Sequence, residues 1–431
     1  MLTASPRHDK PVTPATLPAD LDNNVNWSPD GELLVFDCRD ESGIGGNGRI
    51  GVLTVSSGEL RVVYCQDPIS GVGAPSFLSN DEVVAIHALP GAAYDFTMRA
   101  GRIIPADGGP GRWLDSRDAR PPFAPGALRG GTHKHEPDAT GEWIGFTYND
   151  HVMKTTRGSD LRNVGVSRRG LRAPVAPDPS GLTVEGESFS VLLTACVEAP
   201  RPGSDDYRRA EGDCWVGGAG FEDAAGRRVR ARAFRGLVAP ADHPASPLVY
   251  DVFIVEAPDD LTARGPLGPL EGTLDDYPKP PAGALVRRLT RTAERSDPAL
   301  RGVSGHLRAP ADGRWIAYVA PGEPGCGGDG LPQVHVVSPS TGQARQLSAL
   351  SCGVHGDPRF SPDGRFVAIG GADGALYAIH AEGRRWGEAV ALSSRAGSPV
   401  MNAVVSPGSR LVAYNRHLDG VPRIFVASVP V

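Results

Sequence analysis

Short apolar runs recur along the chain, each entered through a similar polar turn. Asn26-Trp27-Ser28-Pro29-Asp30-Gly31 leads into Glu32-Leu33-Leu34-Val35-Phe36, and Arg359-Phe360-Ser361-Pro362-Asp363-Gly364 leads into Arg365-Phe366-Val367-Ala368-Ile369. Looser copies are Ala309-Pro310-Ala311-Asp312-Gly313 before RWIAYV, Val405-Ser406-Pro407-Gly408-Ser409 before RLVAY, and Phe77-Leu78-Ser79-Asn80-Asp81 before EVVAI. EPDATGEWIGF is a sixth. Proline fixes φ, the aspartate caps locally and glycine accepts positive φ, so each copy predicts two antiparallel strands joined by a tight turn. A third strand follows in most copies, at 48–55, 333–338, 376–380 and 423–428, and a fourth at 61–64 and 344–347. Four antiparallel strands at a period of about 45 residues predict the blades of a propeller.

The period places blades near 24–68, 73–118, 131–175, 184–295, 302–350, 353–395 and 399–431. The fold class is therefore all-β, a seven-bladed β-propeller in one domain, with six or eight blades as the alternatives. The fourth blade is overlong, with strands expected at 188–196, 215–221, 229–233 and 249–256. Its loops, 199–213 and the Pro/Gly-rich 257–283, are either functional covers of one face or disordered. The last blade supplies only three strands, so residues 12–17 are expected to complete it and close the ring, which removes open sheet edges.

Composition agrees with this picture. Gly (55) and Pro (40) together exceed a fifth of the 431 residues, favouring turns, while 40% hydrophobic content excludes a disordered chain. A net charge of −6 without a basic run argues against a nucleic-acid partner. No apolar run approaches 18 residues and the N-terminus lacks the apolar core of a signal peptide, so a cytoplasmic protein without membrane insertion is expected. Cys38, Cys65, Cys196, Cys214, Cys326 and Cys352 lie far apart and read as packing residues rather than a zinc site or disulfide frame. There is no GxSxG and no Walker motif, and no nucleotide cofactor is expected.

The densest chemistry lies in RGGTHKHEPDATGEWIGFTYNDHVM, residues 129–153. The glycine pair Gly130-Gly131 permits a sharp turn or a close approach. His133, Lys134 and His135 follow, then a strand at 143–148 and the polar group Asn149-Asp150-His151. Aligning the copies sends Asn23/Asn24, Gly73/Ala74, His133/Lys134/His135, Gly305/His306, His355/Asp357 and Met401/Asn402 to one channel mouth. Imidazoles meeting there from separate blades either bind one divalent metal (Mn, Fe or Zn) or stand in a water-filled channel. His133, His135 and His306 are the candidate ligands, and His151, His355, Asp150 and Arg129 the candidate catalytic groups. Asn24, Lys134, Asn149, Asp357, Asn402 and Arg201 are candidate substrate contacts, with Asp205, Asp206, Glu211, Arg208 and Arg209 able to join if their loop covers the channel. His8, His87, His243, His335, His380 and His417 fit no cluster.

LDNNVNWSPDGELLVFD, the YDF of Tyr94–Phe96, FAPGALRGGTHKH, FTYNDHVM, DLRNVGVS, PGSDDYRRAEGDCWVG, VFIVEAP and VRRLT resemble, in this order, a bacterial family of uncharacterised TolB-like propellers often labelled "biopolymer transporter Tol". The resemblance spans nearly the whole chain and implies a propeller without fixing its activity. The chain departs from that family after His135, where EPDATG replaces an aromatic-Ser-Pro-Asp-Gly turn.

A more distant similarity is to oligogalacturonate lyase, also a TolB-like propeller, whose family holds manganese with three histidines and a glutamine and performs β-elimination on uronates. By that resemblance His133-x-His135 matches the His-x-His pair and His306 the third ligand, but Gly130 stands where the glutamine is expected. Two functions follow. One is a metal-dependent lyase acting on a small carbohydrate, a sugar or sugar acid, with His151 or His355 as base. The other is a non-catalytic propeller binding a protein partner or ligand through the blade-four loops.

Overall fold

The structure, a computed structural model, describes residues 10–430 apart from 15–16, 23–24, 41–42, 67–68, 70, 91–92, 177–182 and 396–397. Seven antiparallel sheets stand in a ring, each starting with a strand at the axis and working outward, and short two-stranded ladders decorate them. The turn template does the local work expected of it. In blade one Ser28 Oγ accepts the Leu33 N–H at 2.9 Å and donates to Asp30 Oδ1 at 2.5 Å, with Gly31 at φ 78°. Blade six repeats this with Ser361, Asp363 and Phe366. In EPDATG, Asp138 Oδ1 takes over as acceptor, from Thr140 at 3.1 Å and Trp143 at 3.4 Å, so the turn survives the departure in sequence.

Blade seven places Ser409, not Gly408, in the left-handed region, at φ 55°. An L side chain there costs about 1–2 kcal/mol, part of which glycine gives back as lost backbone freedom. Ser409→Gly is therefore expected to stabilise the fold by roughly 0.5–1 kcal/mol, read from the urea midpoint.

Apolar side chains divide into clusters wedged between neighbouring sheets. Val35, Val52, Phe77 and Val83 fill the wedge between blades one and two, while Trp27, Leu34, Val404 and Ala413 join blade seven to blade one. The N-terminal segment completes the last blade. Val12 N–H donates to Ile424 O at 2.8 Å and Ala19 N–H to Pro422 O at 3.0 Å, while the Asn415 amide clasps Ala19 O at 2.7 Å and Leu21 N–H at 2.8 Å. The wedge between blades two and three is small, Leu78, Val84, Ile103, Leu114 and Ile144, and a buried polar network continues it. There Asp115 accepts from Ser167 at 2.7 Å, Thr132 at 2.8 Å and Gly101 N–H at 2.9 Å.

Two expectations for the middle of the chain are corrected. Ser188–Leu192 pairs with Arg162–Arg169, Gly165 opposite Leu192, and is thus the outer strand of blade three rather than the first of blade four. Blade four starts with Ala210–Trp215, which begins within the expected 199–213 loop and ends where the expected 215–221 strand was to start, and continues through Ala231–Val238, Val249–Glu256 and Val286–Arg288. The apolar alternation of 188–192 is the same in either blade, so pattern alone leaves its partner open. The 257–283 stretch is ordered and lies along blades three and four. Leu261 and Leu270 enter their shared core, and Tyr277 OH meets Ser159 Oγ at 2.6 Å and Leu161 N–H at 3.1 Å.

Six innermost strands carry a register shift. In each a residue has positive φ: Ala74, Lys134, Gly212, Gly305, Gly356 and Asn402. Such bulges break the two-residue alternation and re-aim the side chains that follow. In blade one the corresponding stretch reaches residues 23–24, so candidate Asn24 lies outside the described residues.

Candidate functional site

The bulges surround one mouth of the channel, the upper; the Ser-Pro-Asp-Gly turns surround the lower. Lys134 of blade three feels the charges of Arg308 of blade five, Asp357 and Arg359 of blade six, and Asp22 of the N-terminal segment. Groups so far apart around the ring can meet only across the axis. Lys134 is 7% exposed, and its ammonium has no hydrogen-bond or ion-pair partner among the described residues. Burial first, then Arg308 and Arg359 against Asp22 and Asp357, brings its pKa down to about 8. A solitary buried ammonium is costly, and such groups concentrate at functional sites.

Opposite it, blades five and six form a dyad. The bulge Gly305 presents His306 so that its backbone N–H donates to Asp357 Oδ1 at 2.8 Å and its Nδ1 sits 2.5 Å from Oδ2. Burial, then the Lys134 charge, brings His306 down to about 4 against the pull of Asp357. Burial would raise Asp357, but the His306 hydrogen bond, Lys134 and Arg308 hold its carboxyl well below the usual carboxylate range. Near neutrality the pair is a carboxylate accepting from Nδ1–H of a neutral imidazole, which leaves the Nε2 lone pair uncommitted. Both side chains keep 30% exposure.

The other candidates fall in different places. His135 turns into the wall between blades two and three, with Nε2 2.9 Å from Thr132 Oγ1 and 3.5 Å from Asp115. His133 lies near Arg99 and Arg162, and burial followed by these guanidinium charges keeps it well below its ordinary pKa. His355 is exposed beside the bulge Gly356. Asn402 donates to Asp20 Oδ1 at 2.7 Å.

Arg129 and Asp150, expected as catalytic groups, are buried and bonded to each other. Arg129 Nε donates to Asp150 Oδ2 at 2.9 Å and its other nitrogens reach Thr273 O and Asp276 O, which ties the 257–283 stretch to blade three. Asp150 also accepts from Tyr148 OH and from the Met153 N–H of the short helix His151–Arg157. Asn149 is bonded to Asp160 at 2.6 Å and Arg162 at 3.2 Å within the wall. Arg201 is an exposed loop residue paired with Asp206 at 2.7 Å, so the expectation that it contacts substrate is not supported by its position. His151 is half-buried, with Nδ1 2.9 Å from Thr97 Oγ1, which itself donates to Asp95 at 2.6 Å. The loop carrying Thr97 explains Gly131: a Cβ there would stand 2.1 Å from Phe96 O.

Arg308 and Arg359 were not among the sequence candidates. Both sit three residues past a bulge glycine, in Gly305-His306-Leu307-Arg308 and Gly356-Asp357-Pro358-Arg359. Aligning these two segments on glycine rather than on the turn would have revealed them.

Comparison with known proteins agrees with this architecture. Residues 71–179 match a family described as a protein of unknown function, DUF3748. The Uncharacterized protein YidR of Escherichia coli (strain K12) is 33% identical over 409 residues, 91% of each chain. The chain belongs to the YidR family. Among solved structures, an oligogalacturonate lyase in complex with manganese superposes with a TM-score of 0.56 at 12% identity, over 97% of this chain and 92% of that one. The oligogalacturonate lyase VPA0088 of Vibrio parahaemolyticus gives 0.55 at 11% identity, over 97% and 93%. These likenesses establish the seven-bladed propeller fold for this YidR-family chain.

The manganese in that neighbour prompts a test of the donor set here. His135 is turned into the interblade wall, His133 toward Arg99 and Arg162, and His306 onto Asp357. Among the described residues no group of three or more His, Cys, Asp or Glu is arranged to hold a metal ion. His133, His135 and His306, the expected ligands, therefore do not fit a three-histidine centre. The bulge at Lys134 is the physical reason, because it breaks the alternation that would put positions 133 and 135 on one face.

Proposed function

We propose that this protein is a lyase-like enzyme that removes a proton α to the carboxylate of a sugar acid at the upper channel mouth. The observation that carries the reading is the His306–Asp357 dyad facing, across the axis, the Lys134 ammonium, which has no partner among the described residues. Lys134, with Arg308 behind it, would bind the substrate carboxylate and stabilise the charge that builds as the adjacent C–H breaks. Neutral His306 would take that proton on Nε2, oriented by Asp357 through Nδ1. The C–H electron pair forms the carbon–carbon double bond, the bond to the β-oxygen breaks, and the departing oxygen takes up the proton from the imidazolium or water. No step is routed through a metal.

The experiment is to incubate the enzyme with oligouronates and follow the ultraviolet absorbance of the conjugated unsaturated acid. His306 is neutral above about 4 and Lys134 charged below about 8, so kcat/KM is expected to rise through the first value and fall past the second. A profile flat from about pH 3 to about pH 6 would remove His306 as base, one flat from about pH 6 to about pH 10 would remove Lys134 as carboxylate anchor, and no unsaturated product from any uronate would end the lyase reading.

Lys134 carries a second prediction, on stability. Its pKa in the fold is about 8 against 10.5 for an ordinary lysine. Below the lower value both folded and unfolded chains hold the proton, and the cost of burying the charge is fully present. Between the two values only the unfolded chain holds it, so stability rises with pH across that window. Lys134→Met is expected to stabilise the fold at pH 7 by up to about 3 kcal/mol, the equivalent of the shift. It should also raise KM and remove the alkaline limb of the rate profile. A loss of stability in urea would contradict the charge argument.

A further inference from the structure

The lower mouth is a separate cavity of 340 Å³. The dyad and Lys134 do not line it. The repeated turn builds its rim, with Pro29, Pro310, Pro362 and Pro407 arriving from blades one, five, six and seven and Pro137 from blade three. Trp27 and Trp215 stand in its wall with their indole N–H groups already committed, to Val404 O at 3.1 Å and Glu136 O at 2.8 Å. They thus offer apolar surface rather than donors.

Two guanidiniums stand at its inner end. Arg308 and Arg359 precede Pro310 and Pro362 along their strands, so they lie deeper toward the channel than the proline rim. They are 4% and 8% exposed, Arg308 donates to Leu307 O and Arg359 Nε to Ala403 O at 3.0 Å, and each lies within reach of the other's charge. Glu136 also lines the cavity, but its carboxylate is bridged to Arg232 at 2.8 Å. Apolar walls around a paired cationic floor complement a molecule with one anionic end and one apolar end.

We propose that the lower mouth binds a small amphiphilic monocarboxylate, its carboxylate on Arg308 and Arg359 and its apolar body within the proline and tryptophan rim. The volume lies in the range of small-molecule sites. This site lies at the opposite mouth from the elimination chemistry above and shares Arg308 with it. Because Arg308 also acts on Lys134 and His306, its occupant would be felt at the upper mouth.

The test is titration of the full chain with 4-phenylbutyrate, read by calorimetry and by the fluorescence of the rim tryptophans. 4-Phenylbutanol and acetate serve as the neutral and the short controls. Phenylbutyrate is expected to bind one to one, with the alcohol and acetate each weaker by about tenfold or more. Arg359→Gln should lose about tenfold. Ala311→Trp, on an exposed turn of the rim, should block binding without touching the core. His306→Asn should leave binding unchanged. Equal binding of acid and alcohol, no binding of the acid, or loss in His306→Asn with retention in Ala311→Trp would each overturn the proposal. If Arg359→Gln fails to fold, the Ala311→Trp result decides.

Discussion

His306→Asn is expected to lower kcat for uronate elimination by about a hundredfold to ten-thousandfold, the usual contribution of a positioned general base, with KM little changed. Asparagine can still donate to Asp357 from the place of Nδ1, so the carboxylate keeps a partner and the bulge at Gly305 is undisturbed. What disappears is the lone pair at the position of Nε2, which nothing else in the dyad supplies. The split between kcat and KM is the informative readout, because a structural role would move both together with stability. Asp357→Asn should fall in the same direction, since an amide in place of the carboxylate no longer selects the tautomer with the proton on Nδ1. It would also remove the anion that partly balances Lys134, so a larger loss of stability than in His306→Asn is expected. Wild-type kcat in His306→Asn would assign the base elsewhere, with the exposed His355 the next group to test.

Replacing Arg232 by methionine is expected to destabilise the protein by about 3–5 kcal/mol, the cost of leaving a buried charge without its partner. Arg232 is fully buried between blades three and four, donating to Glu136 Oε2 at 2.8 Å and to the Asp213 carboxylate, with its guanidinium 4.8 Å from the Trp215 ring. Both carboxylates are buried, so neither gains water when the arginine goes. Room for the side chain comes from Gly145, where a Cβ would stand 2.1 Å from the guanidinium. The measurement is urea unfolding of the variant at pH 7 and again near pH 5. If the orphaned carboxylates are the cause, lower pH should restore part of the loss as they take up protons. A loss that does not respond to pH would assign the effect to packing against Trp215, and a loss below about 1 kcal/mol would contradict the buried-pair account.

Much of this fold was legible in the chain because the relevant forces are local. Ser28 reaches Leu33 only five residues on, and Asp138 reaches Trp143 over the same span, so each turn can be read from a handful of letters. The strands that follow, such as Leu33–Asp37 and Phe366–Gly371, are runs of buried residues. The overlong blade was harder. Ser188–Leu192 returns to Arg162–Arg169 only after a detour in which Thr183–Val184 pairs with Arg117–Asp118, and no local signal records that path.

The site shows the same division. Turn chemistry and two-residue periodicity act over a few residues, so the repeated blades, seven by the preferred count, and the turns that join them are readable from the chain, as is the clustering of histidine, lysine and aspartate in a few segments. Only the tertiary structure decided which of those groups meet. Whether His135 lines the channel or joins Asp115 in the wall depends on a bulge one residue earlier. Whether His306 is a metal ligand or a base depends on Asp357, 51 residues away on the next blade. Arg308 and Arg359 acquire their role only when ring closure brings strands from separate blades within Coulombic reach, a geometry no stretch of sequence contains.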